Sequence, residues 1–203
     1  MNMPPPMSLA LCASFDSVDA WREHFVALAH EHAAAAGRVE LVFLPQEGSL
    51  ANRWTSGDAA SGAAPILVLS LPADVDKFIA ALSWASVYQN YQDAVHATGE
   101  DLAASHHDVA EAVLIDVRRA GVFDAAPTVL PGAVWRDPAH VRHWASELPP
   151  ARPVLVYCVY GHEVGRVTAL RLRAMGVNAR FLSGGIDGWE RAGLPTVPKG
   201  EAP

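Results

Sequence analysis

The sequence predicts an α/β protein in which the second half forms a parallel sheet covered by helices on both faces, preceded by a smaller α/β region. Two observations carry this prediction. Short apolar runs rich in β-branched residues alternate with segments whose apolar residues recur every three or four positions, which is typical of strands joined by helices. The run at residues 154–156 is entirely apolar and follows Pro153, as expected of a parallel strand buried on both faces.

Gly99 is the most suitable boundary between a region at residues 1–99 and a second domain at residues 100–203. The role of the first region stays open at this point. Its predicted elements are a loose tail (1–7), a strand (8–15), a helix capped by Asp16 or Ser17 and ended by Gly37, a strand (39–44), a long Gly- and Ser-rich loop (46–64), a strand (65–72), and one or two helices (73–98) with a break near residues 88–91.

The second domain continues the alternation. Pro149 and Pro150 are suited to end one helix, and the apolar spacing from Val164 onward indicates another. The predicted elements are a helix (101–112), a strand (113–117), a loop through Pro131 and Gly132, a helix (138–148), the strand before Cys158, the helix from Val164, a strand (178–182), a short helix (186–192) and a Pro- and Gly-rich end.

Composition narrows the classes of function. Of 203 residues, 51% are hydrophobic, so a sizeable core is expected, and the net charge of −7 with no strongly basic run argues against nucleic acid or anionic membrane as a partner. Two cysteines, Cys12 and Cys158, make neither a disulfide framework nor a metal cluster. We find no good signal peptide and no membrane-spanning stretch. We therefore expect a soluble, cytoplasmic protein without metal or cofactor.

Cys158 is the strongest candidate for chemistry. It follows a predicted strand and precedes a predicted helix, which is where ligand crevices of open α/β sheets lie. Unpaired N–H groups and the dipole at a helix start favour negative charge, so we expect a lowered pKa and a nucleophilic thiolate. The alternative is a buried, inert cysteine, since free cysteine is among the most buried residue types.

Five elements in this half occur in the order and spacing of a rhodanese domain, which residues 101–198 resemble. They are the opening helix (105–112), the strand ending in Asp116-Val117-Arg118, the segment 129–134 with Pro131-Gly132-Ala133, the Cys158 loop, and Gly184-Gly185 followed by Trp189. One departure is visible, because the histidine that usually precedes the Ile-Pro-Gly segment is Val129 here. The first region is then either a degenerate rhodanese-like unit or a different α/β domain.

The resemblance implies a cofactor-free sulfurtransferase in which Cys158 becomes a persulfide. It implies an anion-binding loop made by Val159, Tyr160, Gly161, His162, Glu163 and Val164. It also implies that Arg118, with Asp116, orders this loop or meets an anionic substrate, against the alternative of a purely structural salt bridge. The expected partners are a small-molecule sulfur donor and acceptor or a sulfur-relay protein.

Other functions within the same fold stay open. A cysteine phosphatase or arsenate reductase needs an arginine six residues after the cysteine, and that position is Val164. A non-catalytic sulfur carrier, or a stress or oxyanion-resistance sensor, is the other alternative, and the loop is similar to that of rhodanese-like proteins associated with chromate resistance. Glu163 would oppose a dianion, so thiosulfate is expected to be a poor donor. His162 is either a proton shuttle or a solvent-facing side chain.

Overall fold

The computed structural model describes residues 3–57 and 62–201. The chain divides into two compact units, the first comprising Met1–Pro45 and Ser49–Thr98 and the second comprising Gln46–Gly48 and Gly99–Pro203. In the described ranges, no helix combines the length and the apolar character needed to cross a membrane.

The first unit is a three-stranded antiparallel sheet packed against helices. Its elements are α1 (Pro5–Phe15), α2 (Val18–Glu31), β1 (Gly37–Leu44), β2 (Ser49–Thr55), β3 (Ala64–Leu71), α3 (Val75–Ala80) and α4 (Trp84–His96), with the strands in the order β2-β1-β3. Alternate residues of β1, namely Val39, Leu41 and Phe43, are fully buried. Phe43 meets Tyr91 of α4 edge-on, with 5.8 Å between ring centroids. Glu40 and Val42, which alternate with them, are 1% exposed, so β1 is buried on both faces.

Two predictions for the first part of this unit were wrong. Residues 8–15 form part of helix α1 rather than a strand, because Pro5 starts a helix whose buried residues Met7, Ala10 and Leu11 recur at helical spacing. The predicted loop at residues 46–64 contains β2, and residues 58–61 of it lie outside the described ranges. The strands predicted at 39–44 and 65–72 are present as β1 and β3.

The break in the last helical segment lies between α3 and α4, upstream of residues 88–91. Ser83 causes it, because its side chain accepts a hydrogen bond from the N–H of Ser86 and caps the start of α4. Serine favours such a cap over an interior helical position.

The second unit contains a five-stranded parallel sheet, which confirms the predicted α/β class. Its elements are β4 (Ala103–Ala104), β5 (Val113–Asp116), α5 (Ala120–Ala125), β6 (Thr128–Val129), β7 (Val134–Trp135), α6 (Val141–Trp144), β8 (Val154–Tyr157), α7 (Glu163–Ala174), β9 (Ala179–Leu182), α8 (Gly185–Arg191) and β10 (Val197–Pro198). The parallel strands lie in the order β4-β9-β8-β5-β7, and β6 pairs with β10 in a separate antiparallel ladder.

Strand β8 lies at the centre of this sheet and is buried on both faces. Val154 and Val156 join an apolar cluster that includes Leu172 of α7. Leu155 and Tyr157 point the other way and join a second cluster that includes Trp189 of α8. The alternation is the two-residue period of a strand, and it fixes the end of β8 between two packed layers.

One predicted helix of this unit is replaced by other elements, and a second is shorter than expected. In place of a helix at 101–112, Ala103 and Ala104 form β4 beside β9, and a Ser105–Asp108 capping box starts a short 3-10 turn. In place of a helix at 138–148, only Val141–Trp144 is α-helical, between two 3-10 turns. Apolar spacing alone does not separate one long helix from such short turns.

Candidate active site

Cys158 lies directly after β8, at the edge of the parallel sheet where the strands have their carboxyl ends. Residues 159–162 then form a tight turn, and α7 begins at Glu163. Gly161 makes the turn possible. Its φ is +70°, and a Cβ built on it would lie 2.6 Å from the carbonyl oxygen of Leu182. The predicted strand–cysteine–loop–helix arrangement is therefore present.

The thiol of Cys158 sits inside a ring of backbone N–H groups. Those of Tyr160, Gly161, His162 and Gly165 hydrogen-bond to its sulfur. Gly165 closes the ring from the first turn of α7, where a Cβ would lie 3.4 Å from Sγ. Such a nest of converging N–H groups stabilises an anion.

Burial shifts the pKa of this thiol in the direction opposite to that of the hydrogen bonds. Cys158 is only 6% exposed, and this desolvation raises the pKa of its thiol, while the four N–H groups act to lower it. The lowered pKa expected from sequence is therefore wrong in its net direction. The loop and the helix start can be predicted from the sequence, and with them the N–H groups near the sulfur. The near-complete burial of the thiol cannot be predicted in this way.

Helix α8 holds the loop from the other side. The N–H of Ile186 donates to the carbonyl oxygen of Cys158, and the N–H of Asp187 donates to that of Val159, both at 3.0 Å. Gly185 permits this approach, since a Cβ there would lie 2.4 Å from the Val159 oxygen and 2.5 Å from the Cys158 oxygen. Helix α8 thus passes close beneath the loop at Gly185.

Asp116 and Arg118 form a buried pair at the end of β5. Nε of Arg118 lies 3.0 and 2.9 Å from the two carboxylate oxygens of Asp116, and the N–H of Arg118 donates to Oδ1 at 3.0 Å. The guanidinium also donates to the carbonyl oxygen of Thr128 at 2.9 Å. The structural salt bridge left open by the sequence is present, and these contacts order the segment that leads into Pro131.

Tyr157 completes this network and was missed by the sequence analysis. Its hydroxyl donates to Oδ2 of Asp116 at 3.0 Å and accepts from the N–H of Leu130 at 3.2 Å. Burial and the charge of Asp116 raise the pKa of Tyr157, so it stays neutral and a donor. Its one sequence signal is a tyrosine closing an otherwise aliphatic strand.

The remaining loop side chains divide between surface and interior. Tyr160 and His162 are exposed and lie side by side, with 5.8 Å between ring centroids. Glu163 is 6% exposed at the first residue of α7. Val159 and Val164 are half-buried. The loop thus presents an aromatic and an imidazole ring to solvent, and it buries a carboxylate at the helix start.

Three further residues, an arginine of α7, the tryptophan of the Gly184-Gly185 motif and the first cysteine, lie outside the ring of N–H groups. Arg166 bonds Glu100 at 3.1 Å and covers the ring of Phe181. Trp189 belongs to the core and donates from Nε1 to the carbonyl oxygen of Pro195. Cys12 is a half-buried residue of α1 in the first unit rather than part of a strand.

Comparison with known proteins assigns the second unit to a family. Residues 98–192 match the family model of the Rhodanese-like domain, so this part of the chain is a rhodanese-like domain, as its motifs predict. Among solved structures, a rhodanese-related protein from Thermoplasma volcanium is 18% identical, with a TM-score of 0.42, and the match covers 47% of this chain and 96% of that one. A thiosulfate sulfurtransferase from Pseudomonas aeruginosa is 22% identical, with a TM-score of 0.40 and coverage of 45% and 17%.

One curated relative carries a different name. A protein of Cupriavidus metallidurans named superoxide dismutase [Fe] is 27% identical over 104 residues, which are 44% of this chain and 53% of that protein. The chain therefore spans about half the length of this relative. Within residues 3–57 and 62–201, no group of three or more His, Cys, Asp or Glu side chains is arranged to hold a metal ion.

The Tyr157 hydroxyl should contribute measurably to stability. Tyr157→Phe leaves Asp116 short of one buried donor, so we expect the free energy of unfolding to fall by about 1–3 kcal/mol in urea titrations of the full chain. Tyr160→Phe removes the same atom from a side chain that is 54% exposed and should change it by less than about 0.5 kcal/mol. Equal effects of the two substitutions would show that the buried network does not stabilise the domain.

Gly185 should be the glycine of α8 that tolerates substitution least. Gly185→Ala forces a side chain into a φ of +57° against two carbonyl oxygens, so a loss of at least about 2 kcal/mol is expected. Gly121→Ala is the control, because a Cβ at Gly121 of α5 meets nothing within 4 Å. A Gly185→Ala protein as stable as the control would mean that α8 does not approach the loop as closely as described.

The reactivity of Cys158 should rise at high pH. Only the thiolate is alkylated, and burial raises the pKa of this thiol, so its iodoacetamide rate should reach half-maximum above the ordinary cysteine value of about 8.5. The measurement uses the Cys12→Ser protein, in which Cys158 is the remaining cysteine. A midpoint below about 7 would mean that the four N–H groups outweigh desolvation.

Proposed function

We propose that the rhodanese-like domain is a sulfurtransferase in which Cys158 accepts a sulfane sulfur as a persulfide and passes it to a thiophilic acceptor. The observation that supports this most is the convergence of four backbone N–H groups on Sγ. A nucleophilic sulfur that must alternate between thiolate and persulfide needs stabilisation of negative charge without a metal. Preorganised N–H donors supply this at fixed positions.

The first half-reaction is attack of the Cys158 thiolate on the outer sulfur of a donor. A new S–S bond forms at Sγ, the donor's own bond to that sulfur breaks, and the leaving group departs with the electron pair. Sulfite is the leaving group from thiosulfate, and a thiolate is the leaving group from an organic persulfide. No oxidant is needed, because the oxidation level of the sulfane sulfur is transferred with the atom.

The second half-reaction returns the cysteine to its starting state. An acceptor nucleophile attacks the outer sulfur of the persulfide, the bond to Sγ breaks, and Cys158 leaves as a thiolate. The N–H groups of Tyr160, Gly161, His162 and Gly165 then stabilise this leaving group. Covalent catalysis in two steps predicts ping-pong kinetics.

The loop chemistry bears on the choice of donor. Residues 159–164 include no lysine or arginine, and Glu163 is a buried carboxylate within the loop. A dianion such as thiosulfate would be opposed by this acidic group, and residues 159–164 supply no lysine or arginine to attract it. We therefore propose an organic thiol derivative, a persulfide or a sulfur-relay protein as the better donor. A cytoplasmic setting belongs to the same proposal, since both cysteines are free thiols.

One observation favours a second candidate function. Cys158 is 6% exposed, and burial raises the pKa of its thiol, which would suit a module that stores sulfur or senses oxidants without rapid turnover. The phosphatase alternative has no such support, because the position six residues after Cys158 is Val164 and Arg166 is engaged with Glu100.

Steady-state turnover with cyanide as acceptor tests the proposal. We expect catalytic thiocyanate formation that is abolished in Cys158→Ala and retained in Cys12→Ser. Thiosulfate should give a kcat/KM at least roughly tenfold below that of glutathione persulfide, which corresponds to about 1.4 kcal/mol of unfavourable interaction. Glu163→Gln should narrow this gap. A single stoichiometric release of sulfur without turnover would instead support the carrier, and a strong preference for thiosulfate would contradict the donor proposal.

A further inference from the structure

Arg119 follows the end of β5 and has no role in the mechanism above. It is half-buried, and among the residues that the structure describes its side chain makes no hydrogen bond or ion pair. Other arginines at this edge of the sheet are engaged. Arg118 is buried against Asp116, and Arg136 after β7 pairs with Glu147. The guanidinium of Arg119 therefore keeps its N–H donors open to a ligand.

The register of the parallel sheet places Arg119 beside the cysteine loop. Asp116 of β5 lies opposite Tyr157 of β8, and the N–H of Val117 donates to the carbonyl oxygen of Tyr157 at 2.9 Å. Val117 is thus opposite Cys158, and Arg119 comes two residues later. With strands about 4.8 Å apart and a rise of about 3.3 Å per residue, the Cα atoms of Arg119 and Cys158 are roughly 8 Å apart.

The side chain of Arg119 is on the same face of the sheet as the sulfur. Val117 and Cys158 belong to one apolar cluster. Arg118 turns to the opposite face, where its guanidinium lies 5.9 Å from the ring centroid of Tyr157, a residue of the second cluster. The chain stays extended at Arg119, with φ −53° and ψ 143°. Because successive side chains of an extended chain alternate between faces, Arg119 returns to the face of Cys158.

The loop itself brings no cation to the sulfur. The N–H groups that converge on Sγ come from Tyr160, Gly161, His162 and Gly165, and residues 159–164 include no lysine or arginine. Backbone N–H groups stabilise an anion but carry no net charge. A donor with an anionic group therefore needs a cation from a neighbouring element, and the adjacent strand supplies one.

We propose that Arg119 binds a carboxylate of the sulfur donor, a few bonds away from the sulfur that is transferred. This inference rests on the proposed sulfur transfer and names a feature of its substrate. A guanidinium and a carboxylate form two parallel N–H···O bonds, which suits an organic persulfide that carries a carboxylate. Thiosulfate holds its charge on atoms bonded to the sulfur next to the transferred one, so it has no separate anionic group to offer.

The bond changes are those of the first half-reaction. The Cys158 thiolate attacks the outer sulfur of the bound persulfide, and a new S–S bond forms at Sγ. The donor's own S–S bond breaks, and the donor leaves as a thiolate with that electron pair, while the outer sulfur keeps its proton. Arg119 exchanges no proton, because a guanidinium stays protonated in proteins. It holds the carboxylate while the sulfur moves.

The test compares two donors of similar length that differ in the carboxylate, the persulfides of 3-mercaptopropionate and of 3-mercaptopropan-1-ol. The rate constant of Cys158 persulfide formation is measured for each by rapid quenching and intact mass in the Cys12→Ser protein. The ratio of the two rate constants should be roughly tenfold larger with Arg119 than in Arg119→Gln, which corresponds to about 1.4 kcal/mol. Intrinsic differences between the donors cancel in this comparison. Equal ratios would overturn the proposal.

Two further variants locate the effect. Arg119→Lys keeps the charge without the paired donors and should retain part of the preference. Arg152→Gln is the matched control, because Arg152 precedes β8 at the opposite edge of the sheet, where it donates to the carbonyl oxygen of Ala112 at 3.5 Å. It should leave the ratio unchanged. A loss equal to that in Arg119→Gln would show an effect of net charge alone and contradict the assignment.

The two donors of the proposed function give an independent comparison. Arg119→Gln should lower kcat/KM roughly tenfold for glutathione persulfide, which carries carboxylates, and less for thiosulfate. An equal loss for both donors would mean that Arg119 attracts any anion, and it would overturn the assignment of a carboxylate.

A binding measurement separates this proposal from the proposed function. Propionate, which has no sulfur, should shift the backbone N–H resonances of residues 119 and 120 in the wild-type protein and not in Arg119→Gln. If no donor forms a persulfide but propionate binds here, the sulfurtransferase proposal fails and the carboxylate site stands. If a persulfide forms but propionate causes no such shift, the proposal for Arg119 fails alone.

Discussion

The geometry of the site depends on two hydrogen bonds made by the start of α8. Ile186 and Asp187 donate their N–H groups to the carbonyl oxygens of Cys158 and Val159. A trans peptide unit holds its C=O and N–H in opposite directions. Fixing the Val159 carbonyl against α8 therefore turns the N–H of Tyr160 the other way, toward Sγ. The orientation of the Tyr160 amide at the sulfur is thus set from outside the loop.

This constraint accounts for the glycines around the site. Gly185 allows α8 to come within hydrogen-bonding distance of the loop carbonyls, and Gly161 allows the turn to lie against Leu182. Gly165 leaves room for the sulfur above the first turn of α7. A site built from backbone groups needs little from its side chains, and Tyr160 and His162 of the loop are exposed to solvent.

The sequence predicted the parts of this site that depend on local pattern. The apolar run before Cys158 and the helical spacing after Val164 placed the cysteine at a strand end, and the order of the motifs gave the fold. Burial and long-range contacts depend on the folded interior and could not be predicted from the sequence. The withdrawal of Cys158 from water reversed the expected direction of its pKa shift. The partners of Tyr157 come from two other segments, so no spacing reveals them.

The predictions for α1 and β4 were wrong for a related reason. Helix α1 was predicted as a strand because a run of small apolar residues fits both periods, and tertiary packing of Met7, Ala10 and Leu11 decided between them. The extended conformation of β4 depends on pairing with β9, which is distant in sequence.

The central claim is that Cys158, whose sulfur lies within the ring of N–H groups, carries a second sulfur atom as a persulfide. Intact-mass measurement of the full chain after incubation with glutathione persulfide, followed by desalting under argon, tests it most directly. The account predicts a gain of one sulfur atom that maps to Cys158, is retained in Cys12→Ser and is absent in Cys158→Ala. Unchanged mass in the wild-type protein, or a gain that persists in Cys158→Ala, would contradict it.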